Sequence, residues 1–144
     1  MHSDVRGEGK GSSDIHILHT NSGVRYGVLG DKPAGPAPTL LVFAGSIEHT
    51  LGEEPYCHAA RLLHTDGVIC VSLDLPCHGS DHKPDEPAEL EGWRARVDAG
   101  DPLIAPFVKQ ASSVIDDLIR RGYSNPKRIA AMGTSRGGFA AMHL

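Results

Sequence analysis

The sequence has few cysteines and no long apolar run. It contains 3 cysteines among 144 residues, Cys57, Cys70 and Cys77, and their spacing matches neither a disulfide framework nor a metal site. No segment reaches the roughly 20 apolar residues that a membrane-spanning helix requires. Residues 1–14 also lack the apolar stretch of a secretory signal. These absences predict a cytoplasmic protein with no metal ion and no membrane partner.

Concentrated charge of one sign is absent too. The 14 lysines and arginines and the 18 aspartates and glutamates are interspersed, and the formal net charge is −4. Without a basic run, the sequence predicts no basic patch that could bind nucleic acid or an anionic membrane. The nucleotide-binding patterns G-x-x-x-x-G-K-[ST] and G-x-G-x-x-G are missing as well. We therefore expect no nucleic-acid partner and no cofactor, and the oligomeric state stays open.

The composition is typical of one ordinary globular domain, with 40% hydrophobic and 22% charged residues. Residues 1–14 are polar and rich in glycine and serine, which predicts a disordered leader before a domain of residues 15–144. Two short β-type runs, residues 15–20 and 24–29, flank the turn sequence NSG. This pattern predicts an antiparallel hairpin.

After the hairpin, apolar runs of strand length alternate with helical periodicity. Residues 39–44, 68–73 and 128–132 are predicted strands, since continuous apolar runs occur where a sheet is covered on both faces. Helical spacing predicts helices over residues 53–64 and 107–119. The alternation predicts a three-layer α/β sheet, mostly parallel, that is entered through the antiparallel hairpin.

Two connections complete this prediction. Residues 76–101 are irregular. In the polar stretch of residues 79–104 we expect a surface connection with one short amphipathic turn around residues 89–97, anchored by a buried Trp93, in preference to a segment that selects substrate. The pair Asn125-Pro126 predicts a turn before the last strand. Asp116 and Asp117 are expected on a solvated helix face.

The sequence GTSRG at residues 133–137 matches the pattern G-x-S-x-G. It follows a predicted strand and precedes the small-residue run GFAAM, which can continue as a helix. A serine on such a tight turn has a strained backbone, so the residues two before and two after it must be as small as Gly133 and Gly137. The turn raises the Ser135 hydroxyl above the sheet edge and directs the backbone N–H of Arg136 at an anion formed there.

On these residues the sequence resembles the α/β-hydrolase superfamily, and more closely its prolyl-oligopeptidase-like and dienelactone-hydrolase-like serine hydrolases. The elbow GTSRGG is the most specific of three motifs. The segment SLDLPCHGSD, residues 72–81, is similar to the family's D-x-P-G-H-G motif, with Cys77 where glycine is usual. The segment VFAGSIEH, residues 42–49, aligns with the loop after the third strand, where the family often has His-Gly.

The resemblance implies an acyl-enzyme on Ser135 that hydrolyses an ester, thioester or peptide-like bond in a small-molecule or peptide substrate. It assigns a second oxyanion N–H to Ser46 or, less favoured, to Ile47. The family's acid and histidine follow the serine in the chain, so we expect both beyond Leu144 and interpret the sequence as an amino-terminal fragment truncated after the elbow, inactive alone. A non-catalytic ligand-binding member of the fold and an acyltransferase remain as alternatives.

Other polar residues near the motifs have less specific interpretations. In the resembled motif, His78 orders its loop and transfers no proton. His49 is a weaker candidate for substrate contact. The side chain of Arg136 has the reach to bind a substrate carboxylate, but a salt bridge to a neighbouring loop is the favoured expectation. Cys77 is expected to be a packing residue.

Overall fold

A computed structural model of the protein describes residues 14–144. The predicted leader therefore lies outside the described residues, apart from Asp14. The strands and helices, in chain order, are β1 (Ile15–His19), β2 (Arg25–Leu29), β3 (Ala37–Phe43), α1 (Ile47–Gly52), α2 (His58–Thr65), β4 (Ile69–Ser72), a 3₁₀ turn (Gly79–Asp81), α3 (Glu89–Asp98), α4 (Ile104–Arg120), β5 (Ser124–Gly133) and α5 (Arg136–Ala141).

The five strands form one mixed sheet in the order β1-β2-β4-β3-β5. β1 and β2 are the predicted antiparallel hairpin, and β2 also runs antiparallel to β4. β3 pairs in parallel with β4 on one side and with β5 on the other. Because parallel strands share an edge, the carboxyl ends of β3, β4 and β5 lie together. The site motifs follow these three strand ends.

Helices cover both faces of the sheet, which confirms the three-layer prediction. One face packs against α1 and α2 through a cluster that includes Ile47, Leu51 and Ala60. The other packs against α3, α4 and α5, with Phe107 of α4 meeting Phe43 of β3 edge to face at 5.2 Å. Among residues 14–144, no helix combines the length and the apolar character needed to cross a bilayer.

The helix predicted over residues 53–64 is wrong in its first half. The structure has two shorter helices, α1 before this segment and α2 inside it. Pro55 separates them, because a proline disfavours the helical conformation of the residue before it. α1 begins at a proper N-cap, where the Ser46 hydroxyl accepts the His49 N–H at 3.1 Å. The predicted end near Gly67, whose φ is 82°, is confirmed.

Two further predictions need correction or refinement. β5 begins at Ser124 and so includes Asn125-Pro126, which we expected in a turn. Its pairing with β3 is irregular there: Ala37 pairs with Ser124 but Thr39 pairs with Ile129, so the pair lies in a bulge. The short amphipathic turn expected around residues 89–97 is longer than predicted: it is the 10-residue helix α3.

Asp117 is buried, so its predicted place on a solvated helix face is wrong. Its Oδ2 accepts the Tyr26 hydroxyl at 2.7 Å, and its two carboxylate oxygens also pair with Arg120 and Arg121. Burial acts to raise the pKa of Asp117, but the hydrogen bonds from Tyr26 and Arg120 and the charge of Arg121 hold the pKa below its usual value. The network ties α4 to β2 across the core.

Tyr26→Phe should lower the free energy of unfolding by roughly 1.5–3 kcal/mol at pH 7, because a buried carboxylate loses a hydrogen bond. The difference from wild type should shrink as the pH falls through the lowered pKa of Asp117, since the bond favours the ionised form. Urea unfolding at several pH values measures both effects. Tyr123→Phe is the matched control, because the Tyr123 hydroxyl forms no hydrogen bond within residues 14–144; equal losses in the two variants would contradict the prediction.

Candidate active site

Ser135 lies on the turn between β5 and α5 in a backbone conformation that is rare outside glycine. Its φ is 54° and its ψ is −120°, which costs of order 1–3 kcal/mol. The Thr134 N–H donates to the Phe43 carbonyl at 3.0 Å, and the Gly137 N–H donates to the Thr134 carbonyl at 2.9 Å. The turn is therefore fixed on both sides of the serine. Ser135 is exposed and forms no side-chain hydrogen bond within residues 14–144.

Close backbone packing requires glycine on either side of Ser135. A Cβ atom at Gly137 would overlap the carbonyl group of Phe43, and a Cβ atom at Gly133 would overlap the backbone of Gly137 and Gly138. Neither Gly133 nor Gly137 has a positive φ. Lack of space, rather than backbone conformation, excludes a side chain at these two positions.

The backbone N–H groups that follow β3 are engaged, with one exception. The Ala44 and Gly45 N–H groups both donate to Thr50 Oγ1 at 3.2 Å, and that hydroxyl donates to the Ser46 carbonyl at 2.7 Å. The Ser46 N–H has no acceptor within residues 14–144. It is the donor of this loop that stays available to a ligand.

Asp74 accepts the hydrogen bond of the Ile47 N–H, the less favoured of the two donors that the sequence analysis named. Its Oδ1 accepts the Ile47 N–H at 2.9 Å, so Ile47 is not free to bind an oxyanion. Its Oδ2 accepts Arg25 Nη1 at 3.0 Å, the Ser80 N–H at 3.1 Å and the Ser80 hydroxyl at 2.6 Å. One buried carboxylate thus joins β2, the start of α1 and the turn at Gly79–Asp81.

Ser135 opens onto a cavity of about 690 Å³. Ser46 and Arg136 line this cavity together with Ser135, whereas Gly133 and Gly137 pack outside its wall. The backbone N–H of Arg136, like that of Ser46, has no acceptor within residues 14–144. The structure therefore brings the predicted nucleophile and both predicted oxyanion donors to one cavity.

Backbone strain is concentrated at the same cavity. Within residues 14–144, three non-glycine residues have positive φ, namely Cys77 at 64°, Glu89 at 55° and Ser135 at 54°, and all three line the cavity. Cys77 stands where the resembled motif has glycine, the residue best suited to positive φ. Strain of this kind persists where the surroundings over-determine it, and it clusters at functional sites.

The cavity histidines have partners other than the serine. Nδ1 of His78 donates to the Pro76 carbonyl at 2.9 Å, and Trp93 Nε1 donates to the same oxygen at 2.5 Å. These bonds agree with a loop-ordering role for His78 and with a buried Trp93. Nδ1 of His49 lies 3.1 Å from Glu53 Oε2. Within residues 14–144, no histidine forms a hydrogen bond with Ser135.

Cysteine and metal chemistry find no support in the described part of the chain. Its three cysteines are buried and free. Burial raises the pKa of the Cys70 thiol to about 11 and also raises that of Cys77, which suits packing rather than reactivity. Within residues 14–144, no three histidine, cysteine or acidic side chains are grouped to hold a metal ion.

Sequence reasoning missed three contributors to this site. Thr50 accepts hydrogen bonds from two backbone N–H groups of the loop after β3. Its position four residues after Ser46 indicates this contact only if α1 is known to be a helix. Glu53 pairs with His49, and the same unrecognised helix concealed that relation. Glu89 lines the cavity, and no local pattern in the sequence indicates it.

Gly137→Ala should lower the free energy of unfolding by roughly 1–3 kcal/mol, because the added methyl group forces β3 or the elbow to move. Thermal denaturation followed by circular dichroism measures the change. Gly35→Ala is the matched control, since nothing lies within 4 Å of a Cβ atom there. If the two variants melt at the same temperature, the proposed close packing at the elbow is wrong.

Solved structures share this fold. A proposed acetyl xylan esterase from Bacteroides fragilis superposes with a TM-score of 0.60 at 20% identity, over 83% of this chain and 36% of its own. A dienelactone hydrolase-like promiscuous phosphotriesterase from metagenomic libraries has a TM-score of 0.60 at 22% identity, over 90% and 52%. A cold-adapted esterase from an Arctic intertidal metagenomic library has a TM-score of 0.57 at 18% identity, over 90% and 56%.

No protein-family model and no curated protein sequence matches the chain. The chain spans between 36% and 56% of the length of the three solved structures. At identities of 18–22%, the likeness concerns the fold. The sheet order, the two helical layers and the strand-to-helix turn at Ser135 agree with it, and the chain has the α/β-hydrolase fold.

Proposed function

We propose that this chain carries the nucleophile and the oxyanion site of a serine esterase. Ser135 supplies the attacking oxygen, and the backbone N–H groups of Ser46 and Arg136 stabilise the negative charge that develops on the substrate carbonyl oxygen. One observation supports this above all. Ser46 and Arg136 line the cavity of Ser135 and their backbone N–H groups have no acceptor within residues 14–144, while the neighbouring donors of the loop after β3 are engaged.

In the proposed reaction, Ser135 Oγ bonds to the ester carbonyl carbon while its proton passes to a base and the C=O π pair moves onto oxygen. The tetrahedral intermediate then expels the alcohol, which takes the proton back from the base, and the acyl group stays on Oγ. Water repeats the same sequence and releases the carboxylic acid. Each oxyanion donor of this type is worth about 10²–10³ in kcat in serine hydrolases.

The base is the part of this mechanism that the described residues do not offer to Ser135. None of the three cavity histidines forms a hydrogen bond with Ser135 within residues 14–144; the three are His49, His78 and His82. We therefore propose that the catalytic histidine and the carboxylate that orients it come from protein outside residues 14–144, in the chain order that the resemblance implies.

An ester is favoured over a thioester or a peptide-like bond. Two of the three similar structures carry the name esterase, and peptide hydrolysis has no comparable support. Hydrolysis is favoured over acyl transfer on similar grounds, because the three similar structures carry esterase or hydrolase names. A ligand-binding protein without catalysis is the remaining alternative, and it predicts an unreactive Ser135.

The 144-residue chain alone should hydrolyse p-nitrophenyl acetate no faster than its Ser135→Ala variant. Without a bonded base the serine hydroxyl stays protonated and is a weak nucleophile. Initial rates of p-nitrophenol release at pH 7–8 provide the measurement. Robust turnover that disappears in Ser135→Ala would show that a base within this chain had been overlooked.

A protein expressed from the complete coding frame that contains this chain should react covalently with a fluorophosphonate at Ser135. The adduct is expected on the tryptic peptide of residues 129–136, because those residues lie between the cleavage sites at Arg128 and Arg136. Mass spectrometry of the digest identifies it.

Ser135→Ala should remove this adduct, whereas Ser112→Ala, an exposed serine on α4, should leave it in place. A folded protein whose Ser135 does not react would overturn the esterase proposal and favour the ligand-binding alternative.

A further inference from the structure

The α1 side of the cavity carries a histidine and a glutamate that are hydrogen-bonded to each other. His49 and Glu53 lie one helical turn apart, and both line the cavity of Ser135. Nδ1 of His49 lies 3.1 Å from Glu53 Oε2. Since a carboxylate only accepts hydrogen bonds, Nδ1 is the donor. The pair therefore fixes a proton on Nδ1 of the ring.

Two further contacts hold the His49 ring in place. The ring of Tyr56, which also lines the cavity, lies 4.5 Å from it, centroid to centroid. A Cβ atom at Gly45 would lie 3.1 Å from His49 Cδ2, so the ring packs against the backbone of Gly45. Gly45 directly precedes Ser46, whose N–H is the proposed oxyanion donor. The ring is thus ordered beside the oxyanion site, and an ordered side chain loses little freedom when it binds a ligand.

The Nε2 atom of His49 has no partner. It forms no hydrogen bond within residues 14–144. It is also not one of the buried unpaired side-chain atoms of those residues, so it is accessible. Because Nδ1 carries the proton of the neutral ring, Nε2 is a lone-pair acceptor. His49 thus offers an oriented, accessible acceptor on a side chain that lines the cavity.

A second histidine–glutamate pair in the chain lacks these features. His58 pairs with Glu54 at 3.1 Å, but through Nε2 rather than Nδ1. Neither of these residues lines the cavity, and within residues 14–144 the His58 ring contacts no other ring. His58 is therefore a matched control for the charge and the pairing of His49.

We propose that His49 is a substrate-specificity residue, and that the substrate of Ser135 is an ester that carries a hydroxyl group near its carbonyl. This inference rests on the proposed esterase function. The substrate hydroxyl donates a hydrogen bond to His49 Nε2. Glu53 is a positioning residue, which keeps the ring proton on Nδ1.

A hydroxyl group fits this acceptor better than an ammonium group does. An ammonium group would pair with the Glu53 carboxylate, since charge-assisted hydrogen bonds are the stronger ones. It would then compete for the contact that orients the His49 ring. A neutral hydroxyl leaves that contact intact.

An oriented histidine with a free Nε2 is also what a general base requires. His49 forms no hydrogen bond with Ser135 within residues 14–144, which favours substrate binding over proton abstraction. Hydrolysis of p-nitrophenyl acetate separates the two roles, because this ester has no hydroxyl group. Turnover by the 144-residue chain that is lost in both Ser135→Ala and His49→Phe would replace the binding role with a catalytic one.

The test compares three esters, of which propyl butyrate has no hydroxyl group. The ester 2,3-dihydroxypropyl butyrate adds hydroxyls to the alcohol part, and propyl 3-hydroxybutyrate adds one to the acyl part. Binding to the purified chain is measured by ligand-observed NMR in a Ser135→Ala background, so that catalysis plays no part. One hydroxylated ester should bind at least about threefold more tightly than propyl butyrate, the gain expected of one accessible hydrogen bond. The ester that gains shows on which side of the carbonyl the hydroxyl lies.

His49→Phe should abolish this preference, because it keeps an aromatic ring beside Tyr56 and removes the acceptor. His58→Phe should retain it. Equal binding of all three esters, or a preference that survives in His49→Phe, would overturn the proposal.

Glu53→Ala tests the positioning role, and it replaces His49→Phe if that variant does not fold, as judged by its thermal unfolding. Nitrogen NMR should find the His49 proton on Nδ1 in the parent chain and partly on Nε2 in Glu53→Ala, and the preference should fall. An unchanged tautomer or an unchanged preference would count against the proposal. Failure of this proposal leaves fluorophosphonate labelling of Ser135 intact, whereas failure of the esterase proposal leaves the binding preference intact.

Discussion

The arrangement of the site depends on the buried carboxylate of Asp74. It accepts hydrogen bonds from Ile47, Arg25 and Ser80, so three separate segments meet at one side chain. A Cβ atom at Gly79 would overlap this carboxylate, which leaves glycine as the residue that fits. Because Asp74 engages the Ile47 N–H, it also decides which donor of the loop after β3 remains free within residues 14–144. The side chain that holds these three segments together therefore also determines which backbone N–H group is free beside the cavity.

The backbone strain of the site is shared by three residues whose side chains are chemically different. A serine, a cysteine and a glutamate share positive φ, and they enclose one cavity. Two of them are joined directly, since the Glu89 N–H donates to the Cys77 carbonyl at 3.0 Å. The rest of the fold compensates for this strain through its two packed faces. The helical connection that carries Glu89 is fastened by Trp93 and by the ion pairs of Arg96 with Asp81 and Glu86.

Most of the sheet follows from local pattern, whereas the corrections come from contacts that are distant in sequence. The hairpin, the parallel strands and the elbow all have signals within ten residues, so sequence reasoning finds them. α1 is only 6 residues long, too short for helical periodicity, and its Ser46 cap lies in a stretch interpreted as loop. The burial of Asp117 depends on Tyr26, 91 residues away. The salt bridge expected of Arg136 is also missing, since no carboxylate pairs with its guanidinium within residues 14–144, and no local pattern in the sequence indicates this.

The contact between Phe43 and the turn at Ser135 fixes the position of Ser135 independently of the loops above it. The Phe43 carbonyl accepts a hydrogen bond from the Thr134 N–H and abuts Gly137. Contacts with the end of β3 therefore hold Ser135 in place. Loops at this edge can lengthen, shorten or change composition without displacing Ser135. Such independence is a physical basis for evolvability: the loops around the cavity can be replaced while Ser135 keeps its position.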